Sequence, residues 1–258
     1  MILPHLLGWD IHQNDDFFLA FLVATHLATA LVLFFFFLQD WKLIVGGLAR
    51  SLREREVRDD DVHARLGWLL IVGTIPVGLI GLLAEKGLRS VFASPTSAAF
   101  FLMLNGVMLL GAEHLRRRVV ATDARGSDRR LSRLSWREAG FVGTSQAIGL
   151  IPGFSRSGAT MSAGLLAGLS NEDSARFAFL LATPIIGAAA LLKVPDLLGS
   201  AGDGVRGPAL VGALCAALTT YLAVRFLLRF FETNRLTPFG IYCLVVGGLL
   251  TLAFAVAG

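Results

Sequence analysis

Apolar residues fill most of this chain in long blocks, and polar positions collect between them. Residues 17–38 form the first block, with His26 as its only titratable residue. Residues 67–84 form the second, kinked at Pro76, and residues 97–115 the third, ending on Glu113 and His114. Further blocks cover 175–192, 207–231 and 236–256. A helix needs about 20 apolar residues to cross the ~30 Å hydrocarbon core, so each block predicts a transmembrane helix. His26 is expected to hydrogen-bond between helices, and Glu113 and His114 to sit at an interface. Ser174 or Asn171 is the expected cap of the helix at 175–192, with Glu172 and Asp173 in its opening turn.

Residues 138–170 break this pattern. The run 139–151 is apolar but carries Ser145 and Gln146; the string PGFSRSGAT at 152–160 interrupts it, and 161–169 resumes it. Each arm has about 10–14 residues, too few to cross the core at 1.5 Å per residue. The pattern therefore predicts a re-entrant hairpin, whose non-helical tip is tolerated at membrane depth only inside protein or a wet cavity. Pro152 interrupts a helix, and Gly153 and Gly158 permit close backbone approach. Ser155, Ser157 and Thr160 offer hydroxyls, and Arg156 a forked guanidinium. Free N–H groups, hydroxyls and one arginine suit a cluster of anionic oxygens such as phosphate. In a soluble chain an ordinary polar surface loop before a helix would be an equally good reading of the same string. An arginine at bilayer centre costs about 2.5–3.5 kcal/mol, which favours a functional role.

Composition agrees with the membrane class: 55% of residues are hydrophobic and 16% charged, and the mean hydropathy is +0.67. The net charge is +4, and the arginines gather in 39–66 and 116–137. Both stretches are predicted to be cytoplasmic loops, with orientation rather than nucleic-acid binding as the meaning of the charge. The hairpin then enters from the cytoplasmic side. Asp59, Asp60 and Asp61 are expected to be solvated rather than to hold a cation. Cys215 and Cys243 lie in apolar blocks and predict no disulfide framework. Residues 1–16 carry Asp10, Asp15 and Asp16 without Lys or Arg, unlike a cleavable signal peptide.

The string AFLVAT at 20–25 returns as AFLLAT at 178–183, and 96–110 resembles 237–250. Each half offers an odd number of spans, which makes the halves opposite in topology. The expected architecture is all-α: six transmembrane helices plus one re-entrant helix-loop-helix hairpin, with residues 1–115 as first repeat, 116–137 as Arg-rich loop and 138–258 as second repeat. The first repeat's own hairpin is expected upstream of Met1.

PGFSRSGAT with Gln146 before it and Gly164 and Gly168 after it resembles the undecaprenyl-diphosphatase family of the bacitracin-resistance type. HLLGW at 5–9, AFLLATP at 178–184 and TPFGIY at 237–242 fit the same pattern. The resemblance implies a bacterial inner-membrane hydrolase that converts undecaprenyl diphosphate to the monophosphate carrier of cell-wall synthesis, acting at the outer face. It implies Arg156, Ser155 and Thr160 as catalytic residues, Gly153, Ser157, Gly158 and Gln146 as substrate-binding residues, and a divalent cation, magnesium or calcium, whose ligands are not found in this chain. The implied partners are the lipid diphosphate and the bilayer, without nucleic acid; a homodimer is compatible. Family members also carry a first motif, E-x-x-x-E-F-L-P-V-S-S-T-G-H, that supplies carboxylates, a serine and a histidine. These 258 residues contain no such stretch, so slow turnover is the expectation for this chain alone. A lipid-phosphate transporter, or a relative that binds the lipid diphosphate without turning it over, remains as an alternative.

Overall fold

The computed structural model describes residues 2, 6–8, 16–58, 60–91, 94–122, 131–198 and 206–257. Among them the chain is helical: α1 (Asp16–Phe36), α2 (Leu38–Glu54), α3 (Val62–Val91), α4 (Pro95–Thr122), α5 (Trp136–Ser145), α6 (Arg156–Leu166), α7 (Asn171–Leu198), α8 (Arg206–Phe231) and α9 (Thr237–Ala257). Short 3-10 turns at Leu131–Arg133 and Gln146–Leu150 flank α5. Stretches of 20 to 26 residues within α3, α4, α7, α8 and α9 are long and apolar enough to cross a membrane.

The first block departs from expectation. The chain breaks at Phe37, and the segments Phe21–Phe36 and Leu38–Glu54 meet at a bend of 76°. Residues 39–54, expected as part of a charged loop, are helical instead. The reason is periodicity: Ile44, Gly47 and Ser51 lie on one face and are buried, while Lys42, Arg50 and Arg53 fall elsewhere. That face packs on α3, where a Cβ at Gly47 would lie 2.4 Å from the Ala64 nitrogen. The second expected loop is also shorter than 116–137, because α4 continues to Thr122 and α5 begins at Trp136. The calls on Asp10, Asp15 and Asp59 lie outside the described residues. Asp61 caps α3, accepting the Ala64 N–H at 3.0 Å, and pairs with Arg50 at 2.8 Å.

α4 organises the interior through two stripes. Ala99, Met103, Gly106 and Leu110 face α9: a Cβ at Gly106 would lie 2.5 Å from the Leu244 nitrogen, and one at Gly247 2.4 Å from that of Met103. Small residues allow such backbone contact where lipid gives no preference for helix association. Ala98, Phe101, Asn105 and Leu109, spaced by three and four, face the hairpin instead. Hydroxyls in the apolar helices are satisfied internally: Thr74, Thr183 and Thr251 donate to carbonyls one turn back at 2.7, 3.0 and 2.7 Å. The outside of the bundle is apolar, as lipid contact requires. On α8, Leu210, Leu214, Leu218 and Leu222 are exposed.

One end of the bundle gathers the polar helix ends. Arg65 donates to the Leu134 carbonyl at 3.0 Å and lies 5.4 Å from the centre of the Trp136 ring. Arg176 of α7 pairs with Asp40 of α2. Ser170, rather than Asn171 or Ser174, caps α7 by accepting the Asp173 N–H at 2.9 Å.

Candidate functional site

The hairpin starts from a capping box. Ser135 Oγ accepts the Glu138 N–H at 3.3 Å, and the Glu138 carboxylate accepts the Ser135 N–H at 2.7 Å. α5 has 10 residues and α6 has 11, about 15 and 16 Å of rise, or half the hydrocarbon core. The first arm is pinned where α5 crosses α3: a Cβ at Gly143 would lie 2.0 Å from the Gly73 carbonyl oxygen. The arms meet at the tip, where a Cβ at Gly149 would lie 2.5 Å from that of Arg156. Residues 158–165 of α6 are buried, whereas the broken backbone at 151–157 is half-buried with Ser155 exposed, as irregular backbone lining a wet cavity would be.

The tip closes onto α4. Gly153 has φ +100°, a left-handed conformation, and a Cβ there would lie 2.2 Å from the Ala98 carbonyl oxygen. Both facts demand glycine. The Phe154 ring lies 5.6 Å from that of Phe101. The Ser155 N–H donates to Asn105 Oδ1 at 3.1 Å.

Ser155 then caps α6: its Oγ accepts the Gly158 N–H at 3.0 Å. The Ala159 N–H donates to the Ser155 carbonyl. The N–H groups of Arg156 and Ser157 have no partner among the described residues, nor does the Arg156 guanidinium. Ser157 is half-buried beside them. Gly158 is buried, with room for a Cβ only 3.1 Å from that of Ser155 and 3.3 Å from Leu109. Thr160 is buried and donates its hydroxyl to the Arg156 carbonyl at 2.9 Å. Gln146 opens the 3-10 turn, is 1% exposed, and its Nε2 has no partner among the described residues. The start of α6 thus presents an arginine and two backbone donors in one place, backed by the partial positive charge of a helix N-terminus.

Sequence reasoning passed over one residue and gave a second no role. Asn105 is a buried amide inside the apolar run of α4; an isolated amide at that depth was the available signal. Glu113, expected only as an interfacial residue, is also 2% exposed. It lies 4.0 Å from Arg116, 3.6 Å from Arg117 and 4.0 Å from Arg235, and accepts the Leu236 N–H at 3.3 Å. The Asn171 amide, oriented by these neighbours, donates to Glu113 and accepts from Arg116, both at 3.3 Å. The arginines that follow Glu113 in sequence were its signal.

A divalent cation takes about six or more oxygen ligands, usually with carboxylates among them. No group of three or more His, Cys, Asp or Glu that could hold a metal gathers among the described residues. The loop itself brings hydroxyls and an arginine. By donor chemistry these residues do not fit a cation on their own.

A bundle of membrane-length helices enclosing a short broken hairpin defines a multi-pass helical membrane protein. The sequence profile of the family described as bacitracin resistance protein BacA matches residues 1–249, and the chain belongs to that family. It is similar to proteins named undecaprenyl-diphosphatase. One from Mycolicibacterium paratuberculosis is 49% identical over 267 residues, covering 96% of this chain and 87% of the relative. One named undecaprenyl-diphosphatase 2 from Frankia alni is 43% identical, covering 93% of this chain and 83% of the relative. Another of that name from Chromobacterium violaceum is 44% identical, covering 97% and 89%.

Proposed function

We propose that this chain hydrolyses undecaprenyl diphosphate to undecaprenyl phosphate and phosphate, with the loop at 152–160 holding the diphosphate. The observation that carries the reading is the start of α6, where the Arg156 guanidinium and the N–H groups of Arg156 and Ser157 lack partners among the described residues. In the reaction, water attacks the terminal phosphorus and the P–O–P bond breaks. The bridging oxygen leaves with the lipid phosphate. Negative charge grows on the transferring group and the leaving oxygen, and donors already fixed in place stabilise it without reorganisation.

In this reading Arg156 and Ser155 contact the phosphoryl oxygens, and Thr160 holds the Arg156 backbone through the bond to its carbonyl. Gly153 and Gly158 shape the cradle, Ser157 contributes its N–H and hydroxyl, and Gln146 offers a free amide N–H. The loop contains neither carboxylate nor imidazole, so proton transfer falls to groups outside it. A divalent cation, magnesium or calcium, would have to be held by the diphosphate's own oxygens rather than by the loop, and would supply charge neutralisation there. The polar end of the bundle faces the cytoplasm of a bacterial inner membrane, the hairpin enters from there, and hydrolysis occurs on the outer side. The names of the relatives and the open donors support this reading together.

The test is phosphate release from undecaprenyl diphosphate by the whole protein in detergent, comparing wild type with Arg156→Ala. Removing one fixed charge donor should lower turnover by about 100-fold or more. Equal turnover would remove the loop from the chemistry.

A further inference from the structure

Asn105 stands in the run FFLMLNGVMLL and is 1% exposed. A buried amide in such a run is costly unless both its ends are bonded. Both are engaged, and with different elements. Oδ1 accepts the Ser155 N–H at 3.1 Å, and Nδ2 donates to Cys243 Sγ on α9 at 3.4 Å. A backbone N–H can only donate, so the amide oxygen must face the loop.

Among the described residues, the contacts that flank this bond between α4 and the tip are apolar or steric. Ala98 and Phe101 meet Gly153, Phe101 meets the Phe154 ring, and Leu109 meets Gly158. Such contacts favour closeness but do not fix position along the stripe, because dispersion is not directional. The bond from Ser155 to Asn105 is directional. It also acts at the residue that caps α6 and immediately precedes the two open N–H groups.

We propose that Asn105 is a positioning residue for phosphoryl transfer, holding the diphosphate cradle in register through the Ser155 backbone while α9 holds the amide. This rests on the proposed function above and names a residue outside the loop on which that function depends. Without the bond, the Ser155 N–H is left unpaired and the tip can shift along an apolar stripe. A displacement of about 1 Å at a reacting centre can cost on the order of 100-fold in rate.

The experiment measures kcat and KM for undecaprenyl diphosphate with monodisperse whole protein in detergent, for wild type, Asn105→Leu, Asn105→Asp and Arg156→Ala. Asn105→Leu keeps the volume but removes the acceptor, and kcat should fall by about 10–100-fold. Asn105→Asp keeps the acceptor, so its kcat should recover to well above that of Asn105→Leu, with KM raised by the added negative charge. If Asn105→Leu yields no monodisperse protein, Asn105→Ala carries the same expectation. A purely structural role would lower thermal stability and leave kcat per folded molecule unchanged. Wild-type kcat in Asn105→Leu, or equal loss in Asn105→Asp and Asn105→Leu, beside an inactive Arg156→Ala, overturns the role of Asn105 alone. Wild-type kinetics in Arg156→Ala overturns the reading of the loop.

Discussion

Arg156 differs from the arginines around it by what it lacks. Arg50 pairs with Asp61, Arg176 with Asp40, Arg117 with Glu113, and Arg65 reaches the Leu134 carbonyl. Arg156 has no such oxygen among the described residues, although an unpaired guanidinium withdrawn from water is expensive. An incoming anion removes that cost, and two oxygens of a phosphate match the planar fork. Arg156→Lys keeps the charge and loses the fork, so we expect turnover about 100-fold below wild type in the phosphate-release assay. Near-normal turnover in the Lys variant would mean that charge alone suffices. The importance of Arg156, Ser155 and the glycines was legible because they crowd into one string that no transmembrane helix needs. Asn105 was not, because its partner Ser155 is 50 positions away in sequence and nothing local marks the pairing.

Among the elements, helices facing lipid were the easiest to read, since bilayer thickness alone sets their length. α2 was misread because its charges hid the buried spacing of Ile44, Gly47 and Ser51. Its connection to α3 is held by Asp61. The Ala64 N–H first, and then Arg50, holds the Asp61 carboxyl below its ordinary 3.8. A carboxyl lowered on folding contributes stability above its unfolded value, and that contribution is lost as pH falls through the folded value. In thermal unfolding in detergent, Asp61→Asn should therefore be less stable than wild type near neutral pH, and the gap should close as the pH falls through the lowered folded value. A gap that persists unchanged at low pH would assign the effect to capping geometry rather than to charge. Further along α3, where α5 crosses it, Gly143→Leu should splay the hairpin from α3. Its Cβ has nowhere to go beside the Gly73 carbonyl, and overpacking of this kind typically costs about 1–3 kcal/mol.

At the scale of the molecule, one end of the bundle collects the Glu113 cluster, which ties the end of α4 to the starts of α7 and α9. Glu113→Ala would leave its arginines facing one another. Loss of one partner of a buried pair costs about 3–5 kcal/mol, and because Arg117 and Arg235 are half exposed we expect about 2–3 kcal/mol in thermal unfolding. The same end holds the entry to the hairpin near Arg65 and Trp136 and its exit at Ser170. The multi-pass class followed from apolar run length, but re-entry was inferred only from arms too short to span. If the hairpin returns to the side it left, an exposed residue before it and one after it share a compartment. In a background of Cys215→Ala and Cys243→Ser, Arg133→Cys and Glu172→Cys should both resist a membrane-impermeant thiol reagent added outside intact cells, and both should react in inverted vesicles. Arg58→Cys, in the loop between α2 and α3, should behave as they do. Reaction of Glu172→Cys from outside, with Arg133→Cys protected, would make the stretch from Trp136 to Leu166 a crossing segment. The tip holding Arg156 would then lie on a path through the membrane rather than at the bottom of a pocket.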